Sequence, residues 1–175
     1  MELEDPSLQR AGVLAPLFQK ENVWHFLMTK RSDEVEHHKG QISFPGGAVD
    51  SQDEDIVATA LRETEEEIGL PRANVEVLGC LDDHATPTGF IITPVVGYVK
   101  TLPSLIARKE EVHEILEVPL TLFLDEKKER MEQRERFGKS IDVYFYDFGS
   151  HEIWGATARI SRDFLRELAA AKKPL

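Results

Sequence analysis

The stretch RETEEEIG, Arg62–Gly69, sets Glu63, Glu65, Glu66 and Glu67 close together near what reads as the end of a helix. Like charges four residues apart cost roughly 0.2–0.5 kcal/mol per pair, and negative charge at a helix C-terminus opposes the macrodipole. At about 100° per residue, Glu63, Glu66 and Glu67 fall within about 100° of one another, while Glu65 points to solvent. Three carboxylates at the edge of a core are strained unless something positive is present. Hard oxygen donors of this kind suit Mg²⁺ or Mn²⁺, which bridge to substrate phosphates. The same spacing is also that of an ordinary acidic helix face. The context upstream favours chemistry: FPGGAVD ends a strand and brings Gly46 and Gly47 beside the helix start. Backbone N–H groups there can approach an anionic ligand closely.

The elements that must position these residues can be read from hydrophobic period. AGVLAPLF (Ala11–Phe18) and VWHFLMTK (Val23–Lys30) read as two strands joined by a polar turn, and QISF (Gln41–Phe44) as a third. After Asp50 the period changes: Val57, Leu61, Thr64 and Ile68 form one stripe of an amphipathic helix. Ser51 with Glu54 three residues on fits a capping box, and Gly69 fits a C-terminal glycine cap. NVEVLGCL and FIITPVVGYV are further strands. EEVHEILEVPLTLFLD is a strand followed by a short helix opening after Pro119. DEKKERMEQRERFGK reads as a solvated helix or mobile loop, IDVYFYDF as a strand and SRDFLRELAAAKK as a closing amphipathic helix. With no repeat or low-complexity linker, residues 1–175 are expected to form one α+β domain with a mixed sheet covered by helices.

Together the glycines and the helix resemble the Nudix box, G-x5-E-x7-R-E-U-x-E-E-x-G-U, with Glu54, Arg62, Glu63, Glu66, Glu67, Gly69 and Leu70 in register. Thr64 stands at an aliphatic position. The glycine is one residue early, so that Gly47 to Glu54 leaves six intervening residues and Ala48 holds the glycine position. The resemblance implies a Nudix-type α/β/α sandwich with a central mixed β-sheet, and an enzyme that hydrolyses diphosphate linkages in nucleoside diphosphate derivatives. It implies Glu63, Glu66 and Glu67 as ligands of Mg²⁺ or Mn²⁺, with Arg62 orienting the carboxylates through an ion pair. The candidate catalytic residues are then Arg62, Glu63, Glu66 and Glu111. The general base is one of the box glutamates or one from outside it, for which Glu111 in EEVHE is the candidate.

A second resemblance reaches upstream. LMTKRSDEVEHHKGQISFPGG is similar to the segment L-L-T-x-R-S-x3-R-x3-G-x3-F-P-G-G of coenzyme A pyrophosphatases, with Leu27, Thr29, Arg31, Ser32, Gly40, Phe44, Pro45, Gly46 and Gly47 in agreement. ATALRE, ITPVVG and IWGATARI extend the similarity from about Ala11 to about Arg166. Glu36 stands where that pattern carries an arginine, and Lys30, Arg31, His37, His38 and Lys39 supply nearby charge. The resemblance implies a CoA-like nucleotide substrate cleaved into 3′,5′-ADP and a 4′-phosphopantetheine moiety. Lys30, Arg31, His38, Gly46 and Gly47 are its candidate binding residues. His25, His84, His113 and His151 show no metal-ligand spacing and are expected to be structural.

Composition narrows the classes. The 175 residues carry 41% hydrophobic and 30% charged residues, as in a globular protein. Without an apolar run near the roughly 18 residues of a membrane span or a leader pattern, no membrane partner is expected. Cys80 is the single cysteine, which excludes an internal disulfide and makes the cytoplasm the default location. A net charge of −11 opposes non-specific nucleic-acid binding, and with it a decapping role. A small phosphorylated substrate remains compatible, given local positive charge or metal. Two other readings stand beside the CoA enzyme. One is a Nudix hydrolase of ADP-ribose, a dinucleotide or a nucleoside triphosphate. The other is a non-catalytic binding module, opposed by the intact box. Either a monomer or a homodimer fits, and segment 125–139 could shape the site or a dimer interface.

Overall fold

The computed structural model describes residues 3–32, 39–125, 127–136 and 139–171. The chain divides into two compact units, Met1–Pro119 and Leu120–Leu175.

The first unit opens with β1 (Gln9–Lys20) and β2 (Val23–Arg31). Glu21 and Asn22 between them both have positive φ, 51° and 62°, which suits a two-residue turn matched to strand twist. That turn sets the antiparallel register, Lys20 opposite Val23 and Leu17 opposite Phe26. β3 (Ile42–Ser43), β4 (Gly46–Ala48), α1 (Ile56–Ile68), β5 (Val75–Cys80), β6 (His84–Ala85), β7 (Phe90–Val99) and β8 (Val112–Pro119) follow. All eight strands join one mixed sheet along the path β3-β2-β1-β7-β5, with β4 on β1, β6 on β7 and β8 on β2. β1 lies parallel to β7, Leu14 opposite Val95. Because β1 is central, Leu14, Ala15 and Phe18 are all buried, which explains its unbroken apolar run. Pro16 can sit in this strand because β4 pairs residues 11–13 and β2 residues 17–20, leaving its missing N–H between the two ladders.

α1 packs Ala60 and Ile68 against Leu14, Leu27, Val95 and Val99, with Val57 and Leu61 at the margin. Its close seat on β1 depends on Gly12, where a Cβ would stand 2.6 Å from the Ile56 carbonyl oxygen. The start of the helix differs from the expected capping box. Asp55, not Ser51, is the N-cap, accepting from the Ala58 N–H at 2.7 Å, and Ser51 bonds Asp50 instead. Asp55 wins because a carboxylate three residues ahead of a free N–H satisfies it directly. Gly69 ends the helix as expected, with φ 67° and its N–H donated to the Glu65 carbonyl at 3.0 Å. Thr64 keeps its place on the buried stripe by donating its hydroxyl to the Ala60 carbonyl at 2.7 Å.

The second unit contains a short 3-10 helix (Leu120–Leu124), then β9 (Glu129–Arg136), β10 (Lys139–Phe148) and β11 (His151–Trp154) in a meander, and α2 (Gly155–Ala171). Here the charge-dense segment departs from expectation: much of it is strand β9, neither helix nor loop. Its partners lie across the sheet. Arg130 sits 4.1 Å from the Phe145 ring centroid and pairs with Glu152 at 2.8 Å, and Arg134 lies 5.2 Å from the same centroid. Cross-strand contacts of this kind stabilise a strand whose own sequence shows no apolar alternation. Such charges also blunt an edge strand against unwanted pairing. α2 begins six residues before the expected Ser161 and packs on β10 and β11, with Ile160, Phe164, Tyr146 and Ile153 buried.

Among the described residues the fold is mixed α+β, with a central mixed sheet and two helices, as expected. No helix among the described residues is long and apolar enough to cross a membrane.

Candidate active site

The candidate residues gather in the first unit, on the face of α1 that looks toward β4 and the end of β2. Arg62 is the hub. Its Nη1 donates to Glu63 Oε1 at 2.8 Å and lies 3.5 Å from Glu66 Oε1. Its Nε and Nη2 grip both oxygens of Asp53 at 2.9 Å each, and Nη2 also reaches the Ala48 carbonyl at 3.4 Å. Asp53 further accepts from the Thr59 hydroxyl at 2.8 Å and the Asp50 N–H at 2.9 Å. The Arg62 fork holds the Asp53 carboxyl well below the usual carboxylate range, and Asp53 in turn raises the guanidinium above its own.

The three expected metal-binding glutamates are not equivalent. Glu66 is exposed, with 48% of its side chain accessible, whereas that of Glu67 is 6% accessible. Glu67 Oε2 accepts from the Gly46 N–H at 3.2 Å, and its Oε1 lies 4.0 Å from Arg31 Nη1. Burial pushes its carboxyl up to about 7. Gly46 and Arg31 oppose that rise, and repulsion from Glu63 and Glu111 adds to it. Glu63 is raised as well, first by burial, against the pull of Arg62 and with repulsion from Glu66 and Glu111. The carboxylates therefore form one electrostatically coupled group with too little positive charge. Glu65 stands apart, exposed and 3.6 Å from Arg72, as the wheel indicated.

Glu111 reaches this group from far along the chain. The segment before β8 is stitched to the end of α1: the Ile106 N–H donates to Ile68 at 3.0 Å and the Arg108 N–H to Glu67 at 2.9 Å. The Glu111 carbonyl then accepts from the Ser32 N–H at 2.9 Å, and its carboxylate lies 3.1 Å from Arg108 Nη1. Arg31, at the end of β2, has a buried Nε without a hydrogen-bond partner among the described residues. Lys30 is half-buried beside it at a strand irregularity, with no ion pair to the carboxylate group among the described residues. Gly46 and Gly47 lie in β4, paired with Val13 and Gly12. The Gly46 N–H is engaged by Glu67, so it serves a protein carboxylate here. His38, with Glu36 and His37, lies outside the described residues. His25 is structural, stacked on Phe18 with ring centroids 5.4 Å apart.

Two members of the network escaped sequence reasoning. Asp53 was masked by Glu54, which fits the spacing to Arg62, although five intervening residues after Gly47 lead to Asp53. Arg108 has only its three-residue offset from Glu111 as a signal.

Among the described residues, no three Asp, Glu, His or Cys side chains are placed so as to hold a metal ion together. Glu63 and Glu66 both turn to Arg62. In type, however, the donor set fits a hard divalent cation: three carboxylates on adjoining turns, one of them buried without full counter-charge. Glu63, Glu66 and Glu67 are the side chains that could hold it.

The sequence profile of the NUDIX domain matches residues 8–137. The uncharacterized Nudix hydrolase NudL of Photorhabdus laumondii is 39% identical over 160 residues, covering 91% of this chain and 85% of its own length. Among solved structures, the Nudix hydrolase RenU of M. smegmatis superposes with a TM-score of 0.64 at 19% identity, over 95% of this chain and 89% of that one. The NUDIX domain of Shewanella oneidensis NrtR, solved with ADP ribose, gives 0.52 at 18% identity, over 69% and 81%. Family profile, curated relative and fold agree with the helix-borne carboxylates, and so the chain belongs to the Nudix family and is a Nudix hydrolase of nucleoside diphosphate derivatives.

Proposed function

We propose that the enzyme cleaves the diphosphate of coenzyme A or an acyl-CoA, giving 3′,5′-ADP and (acyl-)4′-phosphopantetheine. The observation that carries this reading is the position of Arg31. It comes from the upstream segment that resembles coenzyme A pyrophosphatases, and its guanidinium stands beside Glu67 with a buried Nε that has no hydrogen-bond partner among the described residues. A guanidinium with donors to spare suits the bidentate recognition of a phosphate. Lys30, His38, Gly46 and Gly47 complete the proposed substrate-binding set.

Nudix hydrolases generally need a divalent ion such as Mg²⁺ or Mn²⁺; held by Glu63, Glu66 and Glu67, it would polarise phosphate oxygens and lower the pKa of water. The remaining work falls to this chain's own groups. Arg62 fixes the orientation of Glu63 and Glu66. Glu111 is the proposed base, taking a proton from the water that attacks phosphorus as the bridging P–O bond breaks. Burial, with repulsion added, raises the proton affinity of the neighbouring Glu63 and Glu67. A box glutamate in the same role is the alternative.

The second substrate reading is another nucleoside diphosphate derivative. It is favoured by the ADP ribose bound to the NrtR domain, a protein of similar fold. Incubation with Mg²⁺ and, separately, coenzyme A, acetyl-CoA, ADP-ribose and a dinucleoside polyphosphate separates the two. Release of 3′,5′-ADP from coenzyme A is expected. Rapid cleavage of ADP-ribose with none of coenzyme A would overturn the proposal.

A further inference from the structure

We propose that Lys39 and Lys109, held on either side of the end of β2, recognise the 3′-phosphate of coenzyme A and so set the preference for a substrate that carries it. The inference rests on the reading above that coenzyme A is the substrate.

The backbone places the two lysines. Arg31 donates its N–H to the Gln41 carbonyl at 3.0 Å and accepts from the Gly40 N–H at 3.2 Å, which seats Lys39 beside the strand end. On the other side the Ser32 N–H donates to the Glu111 carbonyl at 2.9 Å. The Glu111 and Val112 N–H groups both donate to the Arg108 carbonyl, at 2.9 and 2.8 Å, closing a turn with Lys109 at its tip. With roughly 5 Å between neighbouring strands, the two lysine backbones stand about 10 Å apart, one on each side of β2. Their long, flexible stems can bring both ammonium groups to one anion.

Charge singles them out. The arginines around the site already face carboxylates: Arg62 meets Asp53 and Glu63, Arg31 stands 4.0 Å from Glu67, and Arg108 3.1 Å from Glu111. Lys39 and Lys109 are exposed and make no ion pair among the described residues. On a chain of net charge −11, two such ammonium groups at the rim of a carboxylate group reverse the local field for an incoming anion. In the reading above, Arg31 and the box take the diphosphate. The 3′-phosphate hangs on the same ribose, separated from the diphosphate by C3′, C4′ and C5′, so it falls beside that site rather than in it. Two lysine point charges match a phosphomonoester there.

The test measures kcat/KM, with Mg²⁺, for coenzyme A and for dephospho-CoA, which lacks only the 3′-phosphate. Wild type is compared with Lys39→Gln, Lys109→Gln, the Lys39→Gln/Lys109→Gln double variant and the Lys39→Arg/Lys109→Arg double variant. Lys100→Gln is the control: it removes the same charge just past β7, at the opposite end of the sheet from Arg31. Exposed changes of this kind shift stability little, and thermal melts check that each variant is folded. Wild type is expected to favour coenzyme A by at least ~10-fold. The double glutamine variant should lose most of that preference through a higher KM for coenzyme A at nearly constant kcat. Its kcat/KM for dephospho-CoA should fall far less. Each single variant should be intermediate, the arginine pair should keep the preference, and Lys100→Gln should match wild type on both substrates. An unchanged preference in the double glutamine variant would overturn the inference. So would equal losses on both substrates, or a wild type indifferent to the 3′-phosphate. Turnover of neither compound would overturn instead the reading of coenzyme A as the substrate.

Discussion

Glu63 lies hard against the Cα of Gly47: a Cβ built on that glycine would stand 2.5 Å from the Glu63 carboxyl carbon and within 2.8 Å of both oxygens. The obstruction is the far end of a flexible side chain, so an added methyl group would push the carboxylate aside at little cost to the fold. Gly47→Ala is therefore expected to lower kcat by ~10-fold or more while shifting stability by less than about 1 kcal/mol. Steady-state kinetics beside a urea titration check this. An alanine enzyme with wild-type kcat would remove Glu63 from the reacting centre.

Gly12 provides the contrast. A Cβ there would meet backbone, the Ile56 carbonyl oxygen at 2.6 Å and the Ala60 nitrogen at 3.1 Å. The helix cannot yield as a side-chain tip does. Gly12→Ala should destabilise by about 1–3 kcal/mol through overpacking. Chemical denaturation of the two alanine variants side by side should place Gly12→Ala clearly below Gly47→Ala.

Glu67→Gln tests the buried ligand. The amide keeps an oxygen for the Gly46 N–H and spares the site a buried charge, so the metal-free melting temperature should match or exceed that of wild type. Turnover should fall by at least ~100-fold if the carboxylate holds a divalent ion that lends several kcal/mol to the transition state. Unchanged activity with Mg²⁺ would contradict the metal-site reading.

Replacing Glu111 by Gln should lower kcat by roughly 10²–10⁴-fold if this residue is the base. Arg108→Ala should have a smaller effect, since that side chain only pairs with Glu111 at 3.1 Å. A Glu111→Gln enzyme with near-normal kcat would pass the role to a box glutamate.

The Asp53–Arg62 pair also predicts a pH dependence of stability. The folded state holds the Asp53 carboxyl well below its ordinary 3.8, so acidifying below that value protonates the unfolded chain first. The stabilisation is present above about pH 4 and is lost as pH falls toward the folded value. Asp53→Asn should cost about 1.5–3 kcal/mol at neutral pH, the scale of hydrogen bonds to charged groups. The gap from wild type should begin to narrow as pH falls below about 4. Urea midpoints measured from about pH 7 down to about pH 3 follow it.

Much of this enzyme is readable along the chain because the information is local. Period-two and period-3.6 patterns give β1, β2, β7, β10 and α1, since each buries a face whose spacing its own residues set. The box motif gives Arg62, Glu63, Glu66 and Glu67 together, because one helix carries all four at a fixed pitch. β9 was hidden because its strand character comes from Phe145 and Glu152, which lie across the sheet.

Sequence by itself thus determined the helix, the four box side chains it carries and the family. Tertiary structure decided how differently those side chains behave. The glutamates share one face, yet Glu67 is buried under β4 and Glu66 is open to water, because only packing sets how much solvent each carboxylate keeps. It also chose Asp53 over Glu54 at Arg62 and brought Glu111 beside the box. A one-residue shift in a loop and a contact spanning more than forty residues depend on where the backbone turns, and spacing alone does not encode that.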